Sequence, residues 1–349
     1  MTKPILALKP LRAEGNSFSG LFSGHIDSGA FECVGFDWEK LGRGAYDVVV
    51  FHWPTEFFRP ESRKATLRLL GRMLKDKLRH GTKFVWVAHN LEPHDGGGRK
   101  SRLTTRLFLG LLDGVILLSG HSRDELHRLY PASRRIPSLV TVHGRYVPLA
   151  AEPKDSIAAA RQNRLLFFGM IRAYKNVEQL VAAAREVRTV PFSLTVAGAC
   201  FDAALRERIG RAAAGDPRIA LDMREAFLPD EELEGVIDAH DAVVLPYRNI
   251  LNSGVALHAL GRNKPILAPA IGSLPELQAM VGGDWVHLFE GEISTAIIES
   301  FFADLAACTA PRPDLDAFDW ERVGADVTRF LQSLRPAART AAPQRSQRS

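Results

Sequence analysis

Two successive runs of alternating strand and helix patterns constrain this chain more than any other feature. Short apolar stretches rich in Val, Ile and Phe fall at 5–8, 31–36, 48–52, 84–88, 115–118 and 139–143. Helical periodicity occupies 60–80, 100–112 and 122–130 between them. The pattern resumes with strands at 165–168, 194–197, 219–221, 243–245, 266–268 and 285–288, and helices at 177–187, 203–214, 230–239, 255–260 and 294–307. A strand apolar along its whole length is buried on both faces, which a parallel sheet covered by helices provides. The expected fold class is therefore α/β, with two doubly wound domains facing a central cleft. The expected domains are 1–150 and 151–334, joined through the polar segment 151–163, with the Arg-, Pro- and Ser-rich 335–349 as a disordered tail. Such sheets hold ligands beyond the carboxyl ends of their strands, so the candidates are sought in the loops that follow strands.

A length of 349 residues suits two domains, and 46% hydrophobic with 24% charged residues argues against a disordered or fibrous chain. No stretch reaches 18 uncharged apolar residues, which argues against a membrane-spanning helix. The apolar run that ends at Lys9 is too short for a signal peptide. Cys33, Cys200 and Cys308 lie far apart, so a disulfide framework or a structural zinc site is not expected, and a reducing cytoplasm fits. The net charge of +5 conceals opposed parts. Residues 1–150 hold 23 Lys and Arg against 14 Asp and Glu, whereas residues 151–334 hold 18 against 26. Within the first half, residues 59–106 carry 13 basic and 4 acidic groups. Such polarity implies an anionic partner on the basic side, with a merely solvated face as the plain alternative. Nucleic acid is not expected, because the cations are not interleaved with aromatics and no binding motif is present.

Four strand-to-loop segments carry chemistry. Phe168-Gly169 ends a strand, and Arg172 and Lys175 follow before a helix. Two cations close to a helix N-terminus make a seat for a diphosphate, or are solvated loop residues. Leu245-Pro246-Tyr247 ends another strand, and a helix opens at Asn252-Ser253-Gly254 with free N–H groups that an anion can reach. Farther on, Glu276 either accepts hydroxyl hydrogen bonds from a ligand or caps the next helix. In the first half, His52-Trp53-Pro54-Thr55-Glu56 and His89-Asn90 with His94-Asp95 follow strands. These place imidazoles and carboxylates where a general base for a hydroxyl nucleophile belongs. His89 and His94 lack a third ligand at zinc-site spacing, so no metal is expected there. Asn16 follows the first strand and is a further candidate for the cleft wall.

Together these segments resemble the GT-B glycosyltransferases, and in particular glycosyltransferase family 94. The likeness spans about residues 5 to 333. It rests on His52-Trp53-Pro54, His89-Asn90-Leu91 with Pro93-His94, Phe168 to Arg172 and on to Lys175, Leu245-Pro246-Tyr247, Asn252-Ser253-Gly254 and Glu290-Gly291-Glu292. The stretch from Lys264 to Glu276 is similar to the donor domain of the larger family 4 clan. Retaining members of that clan carry two glutamates where this chain has Ile250 and His258.

The resemblance implies an inverting transferase that moves mannose from GDP-mannose onto a polyprenyl-diphosphate-linked oligosaccharide in exopolysaccharide synthesis. It implies a nucleotide-sugar co-substrate and no separate cofactor. The base would be Asp95, then Glu56, with His94 and His52 as orienting or alternative groups. The donor would meet Gly169, Arg172, Lys175, Met223, Tyr247, Asn252, Ser253, Gly254 and Glu276, and the acceptor Asn16, Trp53, His89 and Asn90. The nucleobase would lie near Met223 and Arg224. The only Asp-x-Asp sequence, Asp314-Leu315-Asp316, falls outside any strand–loop site, so metal independence is expected. In the helix at 60–80, Leu67, Leu70, Leu74 and Leu78 recur at helical spacing among cations. That pattern suits peripheral attachment to an anionic membrane, the inner face of the cell membrane, or equally a core-facing stripe. A retaining family 4 enzyme and a non-catalytic nucleotide-sugar-binding protein are the alternatives.

Overall fold

The computed structural model describes residues 3–13, 17–91, 99–146, 162–308 and 312–334, with the side chains of 99–102 left aside. Its strands are β1 Ile5–Lys9, β2 Glu32–Gly35, β3 Val48–Phe51, β4 Lys83–Ala88, β5 Gly114–Leu117, β6 Ser138–Val140, β7 Arg164–Phe168, β8 Ser193–Ala199, β9 Ile219–Arg224, β10 Ala242–Val244, β11 Ile266–Pro269 and β12 Val286–Phe289. The helices are α1 Phe18–Gly24, α2 Thr55–Phe58, α3 Arg63–His80, α4 Arg99–Leu111, α5 Gly120–Leu129, α6 Val177–Arg185, α7 Ala203–Ala213, α8 Asp230–Asp238, α9 Gly254–Gly261, α10 Leu274–Val281, α11 Thr295–Ala307 and α12 Trp320–Ser333.

The strands form two six-stranded sheets in which every pairing is parallel. Successive residues of the first sheet point to opposite faces, and both faces are buried. Val49, Phe51, Phe84 and Trp86 enter one core, while Val48, Val50, Val85 and Val87 enter the other. The first sheet runs β2-β1-β3-β4-β5-β6 and the second β12-β11-β10-β7-β8-β9. Read from β9, the second is the dinucleotide-fold order 3-2-1-4-5-6, whereas the first begins in the flavodoxin-like order 2-1-3-4-5. Strand order reverses between β1 and β3 in one sheet and between β7 and β10 in the other. The crevices at those points hold most of the candidate residues.

The last helix crosses from the second half of the chain to the first sheet. Trp320, Val323, Val327 and Leu331 recur at helical spacing on α12 and are buried in the core of that sheet. Full burial of such a side chain contributes about 1.5–3 kcal/mol. Trp320 Nε1 also donates to the carbonyl of Arg145 at 2.6 Å, and Thr328 Oγ1 accepts from Asp27 N at 3.1 Å. The linker at 151–161 and the tail at 335–349 lie outside the described residues. No helix among the described residues is long and apolar enough to cross a membrane.

Candidate active site

The two sheets present their carboxyl ends to one cavity of about 210 Å³. Its first-domain wall holds Trp53, His89 and Asn90, and its second-domain wall holds Lys175, Tyr247 and the turn Asn252-Ser253-Gly254. The chain contributes these eight residues from four separate loops.

On the second-domain wall, the backbone at Gly169 leaves β7 with φ +98°, a left-handed turn that a side chain would strain. This turn leads the chain past the exposed Arg172 to Lys175, which is only 8% exposed. The Lys175 Nζ sits 5.1 Å from the Tyr247 ring centroid and 5.8 Å from that of Phe167. Among the described residues it has no carboxylate partner. Burial, with a contribution from the Arg172 charge, lowers its pKa to about 8. Facing it, Ser253 caps α9 by accepting from Ala256 N at 3.2 Å. Two buried polar groups on this wall, Tyr247 Oη and Asn252 Nδ2, have no hydrogen-bond partner among the described residues. A buried cation, a helix N-terminus and two unsatisfied donors around one hollow are the features of an anion-binding seat.

The first-domain wall is built from imidazoles. His52 and His89 each follow a strand end directly, and His143 stands three residues beyond β6. The Phe18 ring meets that of His89 edge to face, with centroids 4.6 Å apart and planes at 88°. The same ring lies 4.6 Å from His143 and 5.9 Å from His52. His52 Nδ1 and His89 Nε2 share a hydrogen bond of 3.2 Å, and Trp53 stacks on His89 at 4.6 Å. Burial lowers His52 to about 3 and His143 to about 4. His89 is driven well below the usual range by burial and then by its two histidine neighbours. All three are therefore uncharged at neutral pH.

Several expected residues sit elsewhere. The Glu276 carboxylate does not face the cavity. It accepts from the backbone N–H of Gly120 at 2.9 Å and of His121, so a second-domain carboxylate caps first-domain helix α5. It lines a separate crevice of about 370 Å³ between the domains. Asn252 lines both spaces, and its Oδ1 accepts from the hydroxyls of Ser119 and Ser122, each at 3.1 Å. Glu56 is held in an ion pair with Lys9 at the first switch point and does not line the cavity. Arg172 lies outside the cavity, with Nε 3.0 Å from Met170 Sδ. Met223 packs against the second-domain core, and Arg224 pairs with Asp222 at 2.8 Å and with Glu232. Asn16, His94 and Asp95 fall outside the described residues. The cavity also holds His143 and Tyr146, which the sequence reading did not select. The signal was present, since His143 repeats the pattern of an imidazole just past a first-sheet strand.

Facing doubly wound domains whose strand ends meet at a shared cleft make up the GT-B architecture. Residues 162–300 match the model of the family described as glycosyl transferases group 1. The chain is 34% identical over 284 residues to the GDP-mannose:glycolipid 4-beta-D-mannosyltransferase of Xanthomonas campestris pv. campestris, covering 80% of this chain and 77% of that one. It belongs to the same glycosyltransferase family. Among solved structures, the fold is similar to Anabaena HepE in complex with UDP and glucose, with TM-score 0.66 and 14% identity over 95% of this chain and 100% of the other. It is also similar to the sucrose-phosphate synthase of Thermosynechococcus elongatus, with TM-score 0.62 and 14% identity over 95% of each chain.

Proposed function

We propose that this enzyme transfers mannose from GDP-mannose to a glycolipid with inversion at the anomeric carbon. The observation that carries the reading is the buried Lys175, without a carboxylate partner among the described residues and close to the N-terminus of α9, in a chain 34% identical to a GDP-mannose:glycolipid mannosyltransferase. The acceptor oxygen attacks C1 from the first-domain side, and the bond from C1 to the diphosphate oxygen breaks. The electron pair leaves on the diphosphate, next to Lys175 and the α9 N–H groups. The acceptor proton passes to a first-domain base, for which Asp95 is our assignment, with His52 and His89 forming the uncharged surround. Preorganised positive charge at the leaving group does the main catalytic work. Lys175 and the N-terminus of α9 supply that charge, so turnover is expected to persist in EDTA.

Ile250 and His258 stand in place of the retaining carboxylates, and His258 is itself held to about 4 by burial. Neither residue is a carboxylate of the kind that retaining members carry at these positions. The nucleobase is assigned to the ends of β8 and β9, near Met223, where the exposed rings of Phe201 and Phe227 lie 5.8 Å apart.

The acceptor side is assigned to a membrane surface, in keeping with a polyprenyl-linked acceptor used in exopolysaccharide synthesis at the inner face of the cell membrane. The leucine stripe on α3 does not point to the core. Leu70 is buried, but Leu67, Leu74 and Leu78 are 44%, 45% and 77% exposed. Leu103 and Leu107 on neighbouring α4 are also exposed. Apolar side chains set among a large excess of cations suit an anionic lipid surface, where each cation contributes ~1 kcal/mol.

The test is incubation of purified protein with GDP-mannose and a lipid-linked oligosaccharide, with anomeric configuration read by NMR. A β-mannosyl product supports the reading, an α product overturns inversion, and GDP-mannose binding without transfer overturns the catalytic role. Asp95→Asn with full activity would remove Asp95 as the base. Co-sedimentation with anionic but not zwitterionic vesicles, lost in Leu74→Asp/Leu78→Asp, tests the surface.

A further inference from the structure

Gly254 opens α9, and its small size has a cause on the opposite side of the cavity. A Cβ built on Gly254 would lie 2.6 Å from the hydroxyl of Tyr146 and 2.8 Å from the edge of its ring. Tyr146 comes from the segment after β6, so it reaches the donor side of the cleft from the first-domain side. Its hydroxyl is 3.3 Å from His143 Nε2. The other nitrogen, His143 Nδ1, is 2.9 Å from the carbonyl of Gly144. A carbonyl only accepts, so Nδ1 carries the proton and Nε2 is bare. Tyr146 is therefore the donor in its contact with His143. Burial raises the phenol pKa and keeps the O–H intact.

We infer that Tyr146 is a donor-binding residue, whose hydroxyl turns from His143 Nε2 to a diphosphate oxygen seated between Lys175 and the N-terminus of α9. The inference rests on the diphosphate seat proposed above and deepens it. A long contact to a neutral imidazole is exchanged for a shorter one to a charged oxygen, which is the stronger bond. His143 is then a positioning residue that acts through Tyr146. The second-domain wall alone lacks this donor, so the seat is complete only when both domains meet. Leaving-group charge grows as C1–O breaks, so the O–H counts more in the transition state than in the bound donor.

The test is Tyr146→Phe, which keeps the ring and removes only the hydroxyl. Titration calorimetry is run with GDP, GMP, UDP and UMP on wild type and variant, beside transfer kinetics. The expected result is about a tenfold loss of affinity for the nucleoside diphosphate with the monophosphate unchanged, and a kcat lowered ~10²-fold with a smaller change in donor KM. His143→Gln should lower kcat in the wild-type background and add little in Tyr146→Phe. Unchanged diphosphate affinity and kcat in Tyr146→Phe overturn the inference. So does an equal loss for mono- and diphosphate. Wild type that binds UDP and not GDP overturns the donor assignment instead, and the Tyr146 comparison is then read on UDP against UMP. Wild type that binds neither diphosphate overturns the seat and the inference together.

Discussion

On the first-domain wall of the cavity, burial holds His52 near 3 and His143 near 4, so the imidazoles are neutral at pH 7. On the second-domain wall the same burial brings Lys175 down only to about 8, so the ammonium stays mostly charged. Desolvation disfavours the charged form of either base. The outcome differs because lysine starts about four units higher than histidine. One physical cause thus makes a neutral polar wall and a cationic wall on either side of a single hollow. A neutral wall suits the hydroxyls of an incoming sugar acceptor, and a cationic wall suits a diphosphate.

The comparison breaks most sharply at Lys175. Lys175→Ala is expected to lower turnover by ~10²–10³, the usual cost of losing a fixed group that meets developing charge. Arg172→Ala is expected to cost less, because Arg172 is exposed and its charge is screened. The fold should survive both, as judged by an unchanged denaturation midpoint. If Lys175→Ala turns over normally, the cationic wall has no catalytic meaning.

The pH dependence of donor binding sharpens the contrast. Lys175 must be protonated to hold a diphosphate, and its pKa in the free protein is about 8. Affinity for GDP-mannose, whose diphosphate lacks the terminal ionisation near pH 6 that GDP has, should be flat below that value and fall by up to about tenfold per unit above it, because deprotonation then competes with binding. The histidine wall should contribute no bend between pH 6 and 8. Calorimetry across pH 6–10 reads both statements. A bend near 6.5 would show that an imidazole on the other wall carries charge after all.

Acid acts on the first wall. The unfolded chain protonates histidine near 6.5, whereas the folded chain resists until about 4 for His143 and 3 for His52. Between those limits the unfolded state binds more protons, so stability falls as pH drops from about 6.5. The urea midpoint should be lower at pH 5 than at pH 7. His52→Leu should flatten that slope, since it removes one of the groups that must charge. Equal midpoints at the two pH values would contradict the neutral wall.

All twelve strands were legible in the sequence, the inner ones such as β3 and β4 because a strand buried on both faces is a continuous apolar run, the edge strands β2 and β6 in spite of their partial exposure. The four helices that were not read teach more. In α12, Trp320, Val323, Val327 and Leu331 do show helical spacing, yet nothing in that stripe says which sheet it covers. It packs on the first sheet, far back along the chain, and α1, α2 and α10 are too short to show a clear period. Of the site, eight residues that meet at the cavity were readable from one rule, that function follows strand ends. Where a carboxylate points was not readable. Glu56 and Glu276 look alike in sequence, but one pairs with Lys9 and the other reaches across to a backbone in the opposite domain. Such pairings depend on how the two domains face each other, which no local pattern records.

That last contact leads to the smallest effect and tests what holds the two walls together. Glu276 places negative charge at the N-terminus of α5, where the helix dipole and two free N–H groups favour it, while Asn252 accepts from Ser119 and Ser122 beside it. An anion at a helix N-terminus contributes typically 0.3–1 kcal/mol when exposed and up to ~2 when partly buried. Removing it should therefore shift the balance between closed and open domains without unfolding either. Glu276→Gln keeps the shape and the oxygen acceptor but loses the charge, so a modest rise in donor KM is expected, within about tenfold. The radius of gyration from small-angle scattering should increase slightly in the absence of donor and return with GDP. A radius and KM equal to wild type would mean that the crossing helix α12, rather than this polar clasp, sets how closely the cationic and neutral walls approach.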